Sequence, residues 1–174
     1  MPEVPDQLIL ERHRDLEGRK AHPLVRRGII GVLGVIVIAA LAGVFGQQPT
    51  TSRAGAPAAT LEVQAPTKLR GGLLFQARFV VAARRRLEQP TLLLSRGWFE
   101  SMSVNSMVPD ATTQKTSDDR VELTFDPIEA GTTMTFWIYF QVNPTNVGRR
   151  DERVELADGG ETLARIDRTI TVFP

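Results

Sequence analysis

TTMTFWIYFQV, running from Thr132 to Val142, is the stretch whose reading decides the fold. Met134, Phe136, Ile138, Phe140 and Val142 recur at every second position. Side chains alternate across a β-strand, so these five share one face. Thr133, Thr135, Trp137, Tyr139 and Gln141 fall on the other. A helix would scatter both sets around its axis. The apolar face is core, and the opposite face, polar except for Trp137 and Tyr139, is the first candidate for a binding surface.

The same period extends outward. Just upstream, Val121, Leu123 and Phe125 alternate with Glu122, Thr124 and Asp126, and Pro127-Ile128-Glu129-Ala130-Gly131 turns the chain. Further back, Leu73, Phe75, Ala77, Phe79, Val81 and Ala83 share a face opposed by Gln76 and Arg78. Shorter strands are expected over Thr60–Ala65, around Leu92–Leu94, and through Met102, Val104 and Val108. Downstream, Val154 and Leu156 open a hairpin that turns at Asp158-Gly159-Gly160 and returns through Ile166, Ile170 and Val172. Seven or eight short strands without helical periodicity predict a mainly β fold, an immunoglobulin-like antiparallel β-sandwich over 60–174. Phe79 and Phe136 should point between the sheets, and one of Trp98 and Phe99 should join them.

Two tracts carry a resemblance. VELTFDPIEAGTTMTFWIYFQV (Val121–Val142) and VELADGGETLARIDRTITVFP (Val154–Pro174) resemble the last strands of bacterial extracytoplasmic immunoglobulin-like modules. The shared features are an apolar-x-x-Gly corner at Ile128–Gly131, a long strand, and a closing hairpin that ends Thr171-Val172-Phe173-Pro174. The layout is similar to small membrane-anchored proteins of actinobacterial type. The resemblance implies a fold and assigns no functional residue.

The second organising stretch is GIIGVLGVIVIAALAGVFG, Gly28–Gly46, without a charge, a proline or a polar side chain. As a helix rising about 1.5 Å per residue it reaches roughly 28 Å, the hydrocarbon thickness of a bilayer. Arg14, Arg19, Lys20, Arg26 and Arg27 precede it and only Arg53 follows closely, so a spanning helix would keep its N-terminus in the cytoplasm. Two export readings stay beside the anchor. Ala40-Leu41-Ala42 fits signal peptidase, which would release a secreted domain near Ala42, and Arg26-Arg27 begins a twin-arginine pattern. The expected organisation is a cytoplasmic basic tail over 1–27, a transmembrane helix over 28–46, a flexible linker over 47–59 (QQPTTSRAGAPAA), and the sandwich over 60–174.

Composition narrows the chemistry. The 174 residues carry a formal net charge of +1, with no concentrated basic face of the kind nucleic acid requires. There is no cysteine, hence no disulfide, no thiolate metal site and no lipoprotein acylation. Both histidines, His13 and His22, precede the apolar run, which leaves the β domain without the base that an activated serine needs. Glu100, Asp126 and Glu129 are the only carboxylates that invite comparison with a glycosidase pair, and Asp118-Asp119 has no calcium-loop spacing. We therefore expect no enzyme, cofactor or metal. The expected function is a membrane-tethered interaction module that binds another membrane or envelope protein, or alternatively a cell-wall polymer or carbohydrate. Its candidate contacts are Thr135, Trp137, Tyr139 and Gln141, with the cationic run Arg84, Arg85 and Arg86 as a second site.

Overall fold

The structure is a computed structural model that describes residues 22–43 and 47–174. The tail residues 1–21 lie outside the described residues, as do 44–46 at the end of the apolar run.

Helix α1 spans His22–Leu41. It starts six positions before the uncharged run and takes in Arg26 and Arg27. Its second residue is Pro23, where the missing N–H has no partner to lose. It stops at Leu41 because Gly43 turns left-handed, at φ +74°, and donates its N–H to the Ala40 carbonyl at 3.0 Å. The helix thus begins before the uncharged run that starts at Gly28. The segment Pro23–Leu41, with a mean hydropathy of 2.2, is long and apolar enough to cross a membrane. Leu24, Val25, Leu33, Val37 and Ile38 are all exposed, on every side of the helix. A helix apolar all round needs either a protein core or lipid around it.

The β unit is an antiparallel sandwich. Its strands are β1 (Pro49–Gly55), β2 (Ala59–Pro66), β3 (Lys68–Arg70), β4 (Leu74–Ala83), β5 (Pro90–Ser95), β6 (Met102–Val108), β7 (Thr113–Thr116), β8 (Arg120–Thr124), β9 (Thr133–Val142), β10 (Gly148–Asp158) and β11 (Glu161–Phe173). Sheet 1 has five strands in the order β1-β2-β4-β9-β6, and sheet 2 has six in the order β3-β11-β10-β5-β8-β7. Every pairing is antiparallel except that of β3 with β11. The β10–β11 turn uses Gly159 and Gly160 at φ +56° and +93°, the doubly left-handed conformation of a tight hairpin.

One expectation is overturned. Pro49–Gly55, which composition assigns to a flexible linker, forms β1 and pairs with β2 in unbroken register from Pro49↔Pro66 to Gly55↔Thr60. It occupies the edge of sheet 1, where a strand needs backbone partners on one side only and no apolar side chain, so small polar residues suffice.

The core lies between the sheets. Phe79 on β4 and Phe136 on β9 are fully buried, with ring centroids 5.5 Å apart. Trp98 enters from the other side, on a 3₁₀ turn at Arg96–Trp98 that follows β5. Its ring meets Phe79 at 5.4 Å and Phe140 at 6.1 Å, so a side chain from sheet 2 packs on two strands of sheet 1. Gly97 allows this: a Cβ there would sit 2.0 Å from the Asp151 carbonyl oxygen on β10. Phe99 packs at the margin, half-buried, 6.0 Å from Phe140.

Candidate functional site

The pleat of sheet 1 decides what its outer face offers. On β9 the core side is Phe136, Ile138, Phe140 and Val142, all buried, while Thr135 and Trp137 are half-buried and Tyr139 and Gln141 exposed on the outside. Strand register extends this into rows across the sheet. Trp137 lies beside Arg78 of β4 on one side and Val108 of β6 on the other. Arg78 pairs with Gln64 of β2, and Gln64 with Thr51 of β1. The row Thr51–Gln64–Arg78–Trp137–Val108 thus crosses all five strands. The next row places Tyr139 between Gln76 and Ser106, and the one beyond it places Gln141 between Leu74 and Ser103. Trp137 and Tyr139 are two residues apart on one strand, so they stand about 7 Å apart on the same side.

Beside the aromatic pair the face sinks into a groove of about 420 Å³ lined by Gln47, Pro49, Gln64, Pro66, Gln76 and Arg78. Gln47 Nε2 is buried there without an acceptor. The only carboxylate among the strand positions of this face is Glu62, and Arg53 holds it at 2.6 Å.

The outer face of sheet 2 is built differently. Arg153 meets Asp167 at 2.8 Å, Arg165 meets Asp167 at 3.0 Å and Glu155 at 3.8 Å, and Arg120 meets Glu122 at 2.9 Å. The hydrogen bond donated by Arg153, followed by that from Arg165, lowers the pKa of the Asp167 carboxyl from its ordinary value. Those charges satisfy one another and face water. The face of sheet 1 carries aromatics and amides in their place.

The second candidate lies elsewhere. Arg84, Arg85 and Arg86 are exposed in the loop that follows β4, six residues or more beyond Arg78 and so about 20 Å along the strand direction. Arg85 pairs with Glu161 at 3.2 Å, and Arg86 with Glu88 at 3.0 Å and Glu129 at 3.1 Å. The structure therefore brings Trp137, Tyr139, Thr135 and Gln141 together and leaves the arginine run apart from them, two of its members already occupied by carboxylates.

Of the carboxylates weighed for catalysis, Glu129 is engaged by Arg86, and Asp126 accepts a hydrogen bond from Thr112 Oγ1 at 3.0 Å. No group of three or more His, Asp or Glu is placed to hold a metal ion among the described residues.

Sequence reasoning missed a buried polar pair. Glu152 on β10 is 1% exposed, and Arg168, its register partner on β11, is 7% exposed. Arg168 Nη2 donates to the Ala65 carbonyl of β2 and lies 3.5 Å from Thr50 Oγ1 of β1, which ties sheet 2 to the edge of sheet 1. Its guanidinium sits 6.0 Å from the centre of the Trp98 ring. Neither carboxylate oxygen of Glu152 has a hydrogen-bond partner, and burial pushes its pKa up to about 8 against the attraction of Arg168. The signal was present: Glu152 is in phase with Val154 and Leu156, and Arg168 with Ile166, Ile170 and Val172. The sequence places Gln76 and Arg78 on the polar side of their strand, but their position beside Tyr139 and Trp137, with Gln64 and Leu74, comes from cross-strand register, which is not written in any one strand.

No protein-family model matches the chain, and no curated protein matches it in sequence. Similar solved structures include the cohesin module of a family 33 glycoside hydrolase from Clostridium perfringens ATCC13124, at TM-score 0.43 and 12% identity over 70% of this chain and 98% of that one. A non-cellulosomal cohesin from the hyperthermophilic archaeon Archaeoglobus fulgidus gives TM-score 0.41 and 14% identity over 73% of this chain and 92% of that one. The chitin-binding domain of a chitinase from Pyrococcus furiosus gives TM-score 0.40 and 14% identity over 66% of this chain and all, 100%, of that one.

Proposed function

We propose that the chain is a membrane-tethered, non-catalytic binding module that holds a carbohydrate polymer of the cell envelope on the outer face of sheet 1. The observation that carries this reading is the Trp137–Tyr139 pair set among amides and hydroxyls. Aromatic faces stack on the apolar side of a sugar ring, and the hydroxyls at the ring's edge need donors and acceptors in the same plane. Gln64, Gln76, Gln141 and Thr135 supply both from neighbouring register positions. The helix Pro23–Leu41 serves as the anchor, with the N-terminus in the cytoplasm and the sandwich outside, as the basic flank favours. Exposed aromatics also serve as hot spots between proteins. The core of a protein interface is usually apolar and close-packed, whereas here Tyr139 lies between Gln76 and Ser106, with Gln141 and Thr135 on the same face.

The test is retention of the full-length protein, in detergent micelles, on purified cell wall and on insoluble neutral polysaccharide. Trp137→Ala together with Tyr139→Ala should lower retention by on the order of tenfold to a hundredfold, each ring contributing roughly 1 kcal/mol. Thermal unfolding of the double variant should stay cooperative. Undiminished retention by the folded double variant refutes the reading, as does co-purification with a stoichiometric protein partner in place of wall.

A further inference from the structure

We infer that the unit recognised on this face is acidic and that Arg78 receives its anionic group; this rests on the polymer-binding reading above. Arg78 is exposed on β4, beside Trp137 and Gln64 in register. Among the described residues it makes no ion pair, whereas Arg53, the other arginine on the outer face of sheet 1, is held by Glu62. The nearest carboxylate by register, Glu62, one row away on β2, is already taken by Arg53. Arg78 is therefore the one cation of the aromatic face left without an anion.

The groove beside it points to the same ligand. Three glutamines, two prolines, Leu74 and Phe75 line it with Arg78, and no acidic residue does. Gln47 Nε2 is a buried donor there with no acceptor. Gln47 needs an acceptor and Arg78 an anion, and the lining supplies no carboxylate for either. A guanidinium presents a planar fork of donors that matches a carboxylate or a phosphate edge-on. With a sugar ring stacked on Trp137, a carboxylate or phosphodiester at the ring's edge falls toward the neighbouring strand, where Arg78 lies. A neutral polymer would fill the aromatic pair and offer Gln47 a hydroxyl acceptor, but it would leave the charge of Arg78 unmatched.

Chemically edited wall separates the possibilities. Purified wall is used untreated, with its carboxylates amidated by carbodiimide and methylamine, or with its phosphodiesters removed by hydrofluoric acid. Retention of the full-length protein should fall tenfold or more after one of these treatments, and the treatment that acts identifies the anion. Arg78→Gln should lose as much on untreated wall and become indifferent to both treatments. Arg78→Lys, which keeps the charge without the fork, should fall between. Melting temperature verifies that each variant is folded. Retention that ignores both treatments, or an Arg78→Gln variant equal to the parent, overturns the inference while a defective Trp137–Tyr139 variant leaves polymer binding standing. An undiminished Trp137–Tyr139 variant removes the polymer reading itself. Capture on phosphatidylglycerol vesicles in place of wall, abolished by Arg78→Gln, would also overturn it.

Discussion

Glu152 occupies a position that charge alone would forbid. It is 1% exposed with both oxygens unpartnered, and burial raises its pKa from 4.5 to about 8. Below pH 4.5 the folded and unfolded chains both hold the proton. Between there and about pH 8 the unfolded chain gives it up while the folded one keeps it, so stability is lost as pH rises through that window. A shift of this size is worth a few kcal/mol. Glu152→Gln keeps the shape and removes the titration. It should melt at a higher temperature than the parent at pH 8, and its melting temperature should vary much less between pH 5 and pH 8. Equal pH slopes in the two proteins would mean that Glu152 reaches solvent. Arg168 keeps its bond to the Ala65 carbonyl and its place over Trp98 in either case. The alternation of β10 and β11 puts both residues on the inner face; charged side chains are expected outside, and that habit of reading hides a pair which the pleat itself discloses.

At the scale of elements, the turn Arg96–Trp98 shows how one small residue positions a large one. The chain passes so close to β10 that Gly97 has no room for a Cβ, which would sit 2.0 Å from the Asp151 carbonyl oxygen. Gly97→Ala must push the turn away from β10 and draw Trp98 off Phe79 and Phe140. Overpacking of this kind typically costs about 1–3 kcal/mol, and backbone against a Cβ belongs at the upper end. The variant should show a melting temperature several degrees lower and a changed near-ultraviolet circular dichroism from Trp98. A variant as stable as the parent would show that the turn moves freely. The long strands β4 and β9 are legible in the sequence because both bury one face and expose the other. β1 and β7 are not: Pro49–Gly55 and Thr113–Thr116 are edge strands without an apolar face, held by backbone bonds to β2 and β8. Trp137 and Tyr139 can be placed on the outer side by counting in twos. Arg78, Gln64 and Leu74 join them only through strand pairing, which no single segment records.

At the scale of the whole molecule, the chain's lack of cysteine supplies a clean test of the proposed topology. Asp118→Cys is placed in an exposed turn of the sandwich. In intact cells it should react with a membrane-impermeant maleimide, whereas Glu11→Cys in the basic tail should react only after lysis. The reverse pattern would put the sandwich in the cytoplasm and take the wall polymer out of reach. The strand order has a consequence for how the protein is made. In sheet 2 the β10–β11 hairpin lies between β3 and β5, strands synthesised roughly a hundred and roughly sixty residues before the partners they pair with. Until that hairpin leaves the ribosome, β3 and β5 have no neighbour at their inner edges. Sheet 1 has all its strands once β9 is complete and can assemble first. Between the synthesis of β9 and that of the β10–β11 hairpin, sheet 1 therefore lacks the part of its cover that carries Val154, Leu156, Ile166 and Ile170, and within that interval its apolar side is open to aggregation.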